Sequence, residues 1–128
     1  MNDLLFVYGT LLDDDNKYGL YLRDNSKFYS QATIGGRLYD IGEYPGAVLS
    51  ATEGDIIYGV ILQMDDPETA LELLDIYEGF GGGYPQPNEF VRVLADAETS
   101  AGPVTCWIYL YNFPTHGLPL IENGRYIK

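Results

Sequence analysis

Glu78 stands where its surroundings oppose a carboxylate. It comes four residues after Leu74 and seven after Leu71, and at about 100° per residue a helix turns it between these leucines, onto the edge of an apolar stripe. Burial there disfavours the negative charge, and so does the negative end of the helix dipole. Both effects raise the pKa toward neutrality, where a carboxylate takes up a proton as general base and returns it as general acid. A frayed last turn with Glu78 in water is the alternative that spacing leaves open. Directly after it, "GFGGGYPQPNEF" sets four glycines within 79–83 and then two prolines. That composition suits a lid over a reactive group, and equally a plain surface connection.

A second feature is Gly9 in "LLFVYGTLL", where a strand-like run Leu4 to Tyr8 meets a glycine. Glycine weakens a strand unless backbone or ligand must come close, so something is expected to approach Gly9-Thr10. Other chemistries are less well supplied. Cys106, beside Trp107 in mid-strand, reads as a small buried hydrophobe, and His116, the sole histidine, reads as a loop residue in "FPTHGLP". A cysteine-histidine hydrolase therefore ranks low. Asp13 to Asp15 lack the alternating ligand spacing of a calcium loop and read as a solvated turn. No phosphate loop, nucleophile elbow or metal spacing occurs.

The elements that must position these residues are mostly strands: Leu4-Tyr8, Ile34-Ile41, Ile56-Met64, Phe90-Ala95 and Val104-Tyr111, with a short one at Val48-Leu49 after the "YPG" turn. In the last long run, Val104, Cys106, Ile108 and Leu110 face one side. Thr105, Trp107, Tyr109 and Tyr111 face the other, so both faces are at least partly covered. One helix is plain: Asp66 as N-cap, Pro67 and Glu68 in the first turn, Ala70, Leu71, Leu73, Leu74 and Tyr77 as its apolar face, Glu68, Glu72 and Asp75 as its polar face, and Gly79 as its stop. A weaker helix covers Asn16 to Arg23. Strands without a βαβ rhythm predict an α+β fold with a strongly curved or closed sheet.

The chain has 128 residues, enough for a single domain over 1–128, and its apolar content of 46% marks a globular protein. Nineteen acidic against seven basic side chains give a net charge of −12, which opposes binding to nucleic acid or to an anionic membrane. Arg37 and Arg92, inside strand-like runs, are local candidates for an anionic ligand. No apolar run approaches the roughly 20 residues of a membrane helix. Met1-Asn2-Asp3 lacks a basic signal region, and a lone cysteine suits a reducing compartment, so a cytoplasmic location is expected.

In order along the chain, "FVYGTLL", "LYDIGEYPGAV", "LDIYEGF", "EFVRV" and "WIYLY" resemble the gamma-glutamylcyclotransferase-like (AIG2-like) family. The resemblance spans nearly the whole chain. It implies a small curved or barrel-like mixed β-sheet flanked by a few helices, with a cavity at one end. It also implies conversion of a gamma-glutamyl compound into 5-oxoproline and a released amine, a lyase-type transferase chemistry that needs no metal or organic cofactor. The family's substrate loop falls on Tyr8, Gly9, Thr10 and Leu11, and its catalytic glutamate on Glu78. Phe90 stands where many relatives carry tyrosine, and "ENGRYIK" where they often carry Gly-Asp-Trp. The expectation is an enzyme with a small-molecule gamma-glutamyl substrate. The alternative is a non-catalytic small-molecule binding module of the same fold, which would have no use for a destabilised carboxylate at position 78.

Overall fold

The computed structural model describes residues 1–8 and 17–125. Along them run β1 (Leu4–Val7), α1 (Lys17–Asn25), β2 (Ser26–Asp40), β3 (Pro45–Leu49), β4 (Ile56–Met64), α2 (Pro67–Glu78), β5 (Phe90–Thr99), β6 (Gly102–Tyr111) and β7 (Leu120–Ile121). Antiparallel ladders join β2 to β4, β4 to β1 and β6 to β5, while β1 and β6 run parallel with Leu5 opposite Trp107. β5 returns to β2 at Glu98–Thr33 and closes a five-stranded barrel. Closure leaves these strands no open edge. Beyond the barrel, β2 continues as a ribbon that takes β3 on one side and β7 on the other. The α+β class and the closed mixed sheet are those expected from the sequence.

Period-two alternation divides the barrel strands between two cores. Phe6, Ile34, Ile57, Ile61, Cys106 and Ile108 fill the barrel. Leu5, Val7, Phe90 and Tyr109 point outward and meet Leu22 of α1 and Ala70, Leu71 and Leu74 of α2. β6 thus covers both faces, as its sequence predicts.

The caps fix α2 at both ends. Asp66 accepts from the backbone N–H of Thr69 at 3.3 Å and from its hydroxyl at 2.8 Å, and Pro67 opens the first turn. At the other end Gly79 adopts φ 68°, ψ 34°, a left-handed conformation that a side chain would strain. Its N–H reaches the carbonyl of Ile76 at 3.2 Å and that of Phe80 reaches Asp75 at 2.9 Å, which is a Schellman ending. Tyr18 and Tyr77, with ring centroids 4.8 Å apart, join the two helices.

Several elements differ from expectation: β5 runs past Ala95 to Thr99, and the short β7 was not expected. β2 starts at Ser26 rather than Ile34, because its first half is mostly exposed, Phe28 and Tyr29 included, and is recruited by backbone pairing to β4, with a bulge between Phe28 and Ser30. Pro45 to Ala47 join Val48 and Leu49 in β3. No helix among the described residues is long and apolar enough to cross a membrane.

Candidate active site

A cavity of about 220 Å³ opens where the end of β1 meets the end of α2. Phe6, Val7 and Tyr8 form one side, Tyr44 and Pro45 at the start of β3 another, and Tyr77 and Glu78 a third. Glu89 and Phe90, at the entry to β5, and Tyr109 of β6 complete it. Gly46 permits this convergence. A Cβ there would lie 2.8 Å from Cβ of Tyr111, so only glycine lets β3 close against β6 and hold its neighbours over the opening.

Glu78 is half-buried, and no hydrogen bond to its carboxylate is formed among the described residues. Burial is the first cause that pushes its pKa from 4.5 up to about 8, and the negative charge of Glu89 is the second. It is the carboxylate singled out above, now with a charged neighbour that the sequence reading missed. The Schellman ending sets its direction, because Gly79 stops the helix at the point where Glu78 faces the cavity.

Three residues along the helix, Asp75 is held on three counts. Nε and Nη2 of Arg92 donate to its two oxygens at 2.8 and 3.1 Å, and the hydroxyl of Tyr109 donates to it at 2.7 Å. This clamp ties the last turn of α2 to β5 and β6. Asp75, expected on the polar face, is therefore turned toward the barrel. Arg92, a candidate for an anionic ligand, is engaged by Asp75, and its guanidinium lies 4.6 Å from the ring centre of Trp107. Arg37 is likewise engaged, its Nε donating to Asp55 at 2.7 Å.

Tyr8 donates its hydroxyl hydrogen to the carbonyl of Tyr109 and accepts from the N–H of Ala47 at 3.3 Å. Burial drives its pKa upward, and the nearby Glu78 adds to this, so it is a neutral, fixed phenol. Tyr44 donates to Glu89 at 2.6 Å, and burial followed by this bond raises its pKa as well. Gly9, Thr10 and Leu11, the remaining loop residues expected at the site, lie outside the described residues, as do Asp13 to Asp15.

The glycine-rich segment after Glu78 is closed on itself by side chains. Buried Asn88 accepts from the N–H of Gly81 at 3.0 Å and donates to the carbonyls of Gly81 and Pro85, each at 3.1 Å. Gln86 donates to Gly81 and Tyr84 at 2.9 and 3.0 Å. These bonds make the segment a compact loop beside Glu78.

Cys106 belongs to the barrel interior, away from this cavity, where burial pushes its thiol up to about 11. His116 sits exposed on a turn. Among the described residues no group of three or more His, Cys, Asp or Glu side chains is arranged to hold a metal ion. Glu89 and the Asp75–Arg92–Tyr109 clamp escaped the sequence reading. The partners of the clamp lie 17 and 34 residues apart on separate elements, and the one signal for Glu89 was an acidic residue entering a strand beside an aromatic one.

The chain belongs to the family described as gamma-glutamyl cyclotransferase, AIG2-like, whose model matches residues 5–128. It is 32% identical over 130 residues to the gamma-glutamylcyclotransferase family protein YtfP of Escherichia coli K12, covering 96% of this chain and 95% of that one. It is 33% identical over 109 residues to the gamma-L-glutamyl-butirosin B gamma-glutamyl cyclotransferase of Niallia circulans, matching 84% of this chain and spanning 66% of that protein's length. An AIG2-like protein of Mus musculus shares the fold, with a TM-score of 0.71 at 21% identity over 98% of this chain and 95% of that one.

Proposed function

We propose that the protein is a gamma-glutamylcyclotransferase that releases 5-oxoproline, with Glu78 as its acid/base group. The supporting observation is Glu78 itself: a half-buried carboxylate, aimed into a cavity, with a pKa near 8 and no hydrogen-bond partner among the described residues. A purely structural position would carry a partnered or neutral group there.

The substrate brings its own nucleophile. Its α-amine attacks its own γ-carbonyl carbon, forming the carbon–nitrogen bond of a five-membered lactam as the bond to the leaving amine breaks. Such intramolecular attack is worth an effective molarity as high as about 10⁵ to 10⁸ M when the geometry is right. Of the three protons on the α-ammonium, one remains as the lactam N–H and two pass to the departing amine, which leaves as its ammonium ion. Glu78 takes the first and returns it to the leaving nitrogen. The walls at Tyr8, Tyr44 and Tyr109 force the bend that brings amine and carbonyl together. The family pattern assigns the anionic oxygens of the substrate to Gly9, Thr10 and Leu11, whose backbone N–H groups would stabilise a tetrahedral oxyanion.

Incubation with a panel of gamma-glutamyl compounds, read as 5-oxoproline by mass spectrometry, tests this. At least one compound is expected to yield it in wild type and none in Glu78→Gln. Release by the variant at the wild-type rate would remove Glu78 from the chemistry, and binding without any release would leave a binding module.

A further inference from the structure

Two carboxylates face the same cavity, and the catalytic cycle above employs one of them. Glu89 lines the cavity with Glu78 and is fixed at two points. The hydroxyl of Tyr44 donates to its Oε2 at 2.6 Å, and the N–H of Asn112 donates to its backbone carbonyl at 2.7 Å. The Asn112 side chain donates in turn to the carbonyl of Asn88 at 3.0 Å, and Asn88 closes the loop that follows Glu78. Tyr44 packs on Phe90, with centroids 5.8 Å apart, and Phe90 on Tyr111 at 5.5 Å. Glu89 therefore cannot swing out of the cavity without breaking the Tyr44 bond.

A hydrogen bond donated to a carboxylate favours its charged form. Burial raises the Tyr44 phenol well above its ordinary value, so it stays a donor at neutral pH. Glu78 has no such donor among the described residues, and the like charge of Glu89 favours its protonated form. The other titratable groups that line the cavity among the described residues are phenols: Tyr8 of β1, Tyr77 of α2 and Tyr109 of β6. Burial pushes Tyr8 and Tyr109 upward, and Asp75 is matched by Arg92. Asp13 to Asp15 and Lys128 lie outside the described residues and are the same in every variant below.

We propose that Glu89 is a positioning residue for the reaction: pinned by Tyr44 and Asn112, it keeps a second negative charge facing Glu78 and so sets how tightly Glu78 holds its proton. The inference rests on the cyclotransferase reading for its effect on turnover, but not for the interaction of the two carboxylates.

Glu89→Gln keeps the size of the side chain while removing its charge. In wild type, the acid limb of the kcat/KM profile and the carbon-13 titration of the Glu78 carboxyl are expected to share a midpoint of about 8. Both midpoints should fall by about one unit in Glu89→Gln, where burial remains as the larger cause. The plateau rate should drop about threefold, because a weaker base takes the proton less readily, yet below about pH 7 the variant should outpace wild type. Damage to packing would instead lower the rate at every pH. Tyr44→Phe, which frees Glu89 to turn outward, should shift both midpoints down by less. Glu98→Gln, which removes a charge at the far end of β5, should shift neither. Unmoved midpoints in Glu89→Gln of wild-type Tm, or an equal shift in Glu98→Gln, overturn the proposal. If Glu89→Gln does not fold, unmoved midpoints in Tyr44→Phe overturn it. Should wild type release no 5-oxoproline, the cyclotransferase reading fails and the carboxyl titration decides the inference alone. A lowered Glu78 midpoint in Glu89→Gln then upholds it, and an unmoved one overturns it.

Discussion

Asp75 and Glu78 lie one helical turn apart on α2, both turned toward the barrel, and their carboxylates keep different company. Asp75 receives two bonds from Arg92 and one from Tyr109, so its negative charge is matched and its geometry fixed. Glu78 gains burial and the field of Glu89 instead, and its charged form is raised in energy. The same helix, docked by the same leucines, therefore anchors itself with one carboxylate and exposes the other to a cavity. The lesson is that burial alone does not mark a reactive group; burial without a partner does.

Glu78→Gln breaks the comparison most severely. The amide is nearly isosteric but takes no proton, so turnover should fall by about 10² to 10⁴-fold, measured as 5-oxoproline release. The same variant carries a pH signature. In the unfolded chain the group ionises near 4.5, and in the folded protein near 8. Between these values the folded state binds the extra proton, so wild-type stability should decline as pH rises through this window and level off above it. Melting temperatures of Glu78→Gln should lack that decline. A wild type whose stability climbs across the window would contradict the raised pKa.

Asp75→Asn attacks the anchored member. It leaves the Arg92 guanidinium half-matched at a partly buried site, at a cost of about 1–3 kcal/mol in chemical denaturation. Turnover should drop by about tenfold, less than the roughly 10²-fold that a 1 Å misplacement costs, while the limb of the pH profile that reports Glu78 persists. Loss of that limb would take the pH dependence away from Glu78 and reverse the assignment. Tyr109→Phe is the mildest probe. It deletes one of the three bonds to Asp75 and should cost about 0.5–1.5 kcal/mol, again by denaturation. A larger loss would move the centre of the clamp from Arg92 to the tyrosine.

The two carboxylates also differ in how far the sequence reveals them. Glu78 is legible because its abnormality is local: a known helix phase, a glycine stop and a capped start define where the side chain must point. The bounds of β4 and the two-faced character of β6 are legible for the same reason, each resting on short-range alternation. Asp75 looks like an ordinary polar-face residue, since what makes it different arrives from β5 and β6. Glu89 acquires its place only when Tyr44 folds over it. β2 hides its first half because an exposed, bulged strand carries no apolar alternation to read. Local periodicity reports position, whereas partnership is a property of the closed barrel.

The barrel interior holds one further consequence. Cys106 has no exposed surface, and its thiol, held up to about 11, stays protonated at neutral pH. A maleimide cannot attack it until strands part, so the rate of labelling in native buffer becomes a clock for the opening of the barrel. Because the chain has one cysteine, that clock has a single hand, and any substitution discussed above can be timed by it without a substrate in the tube.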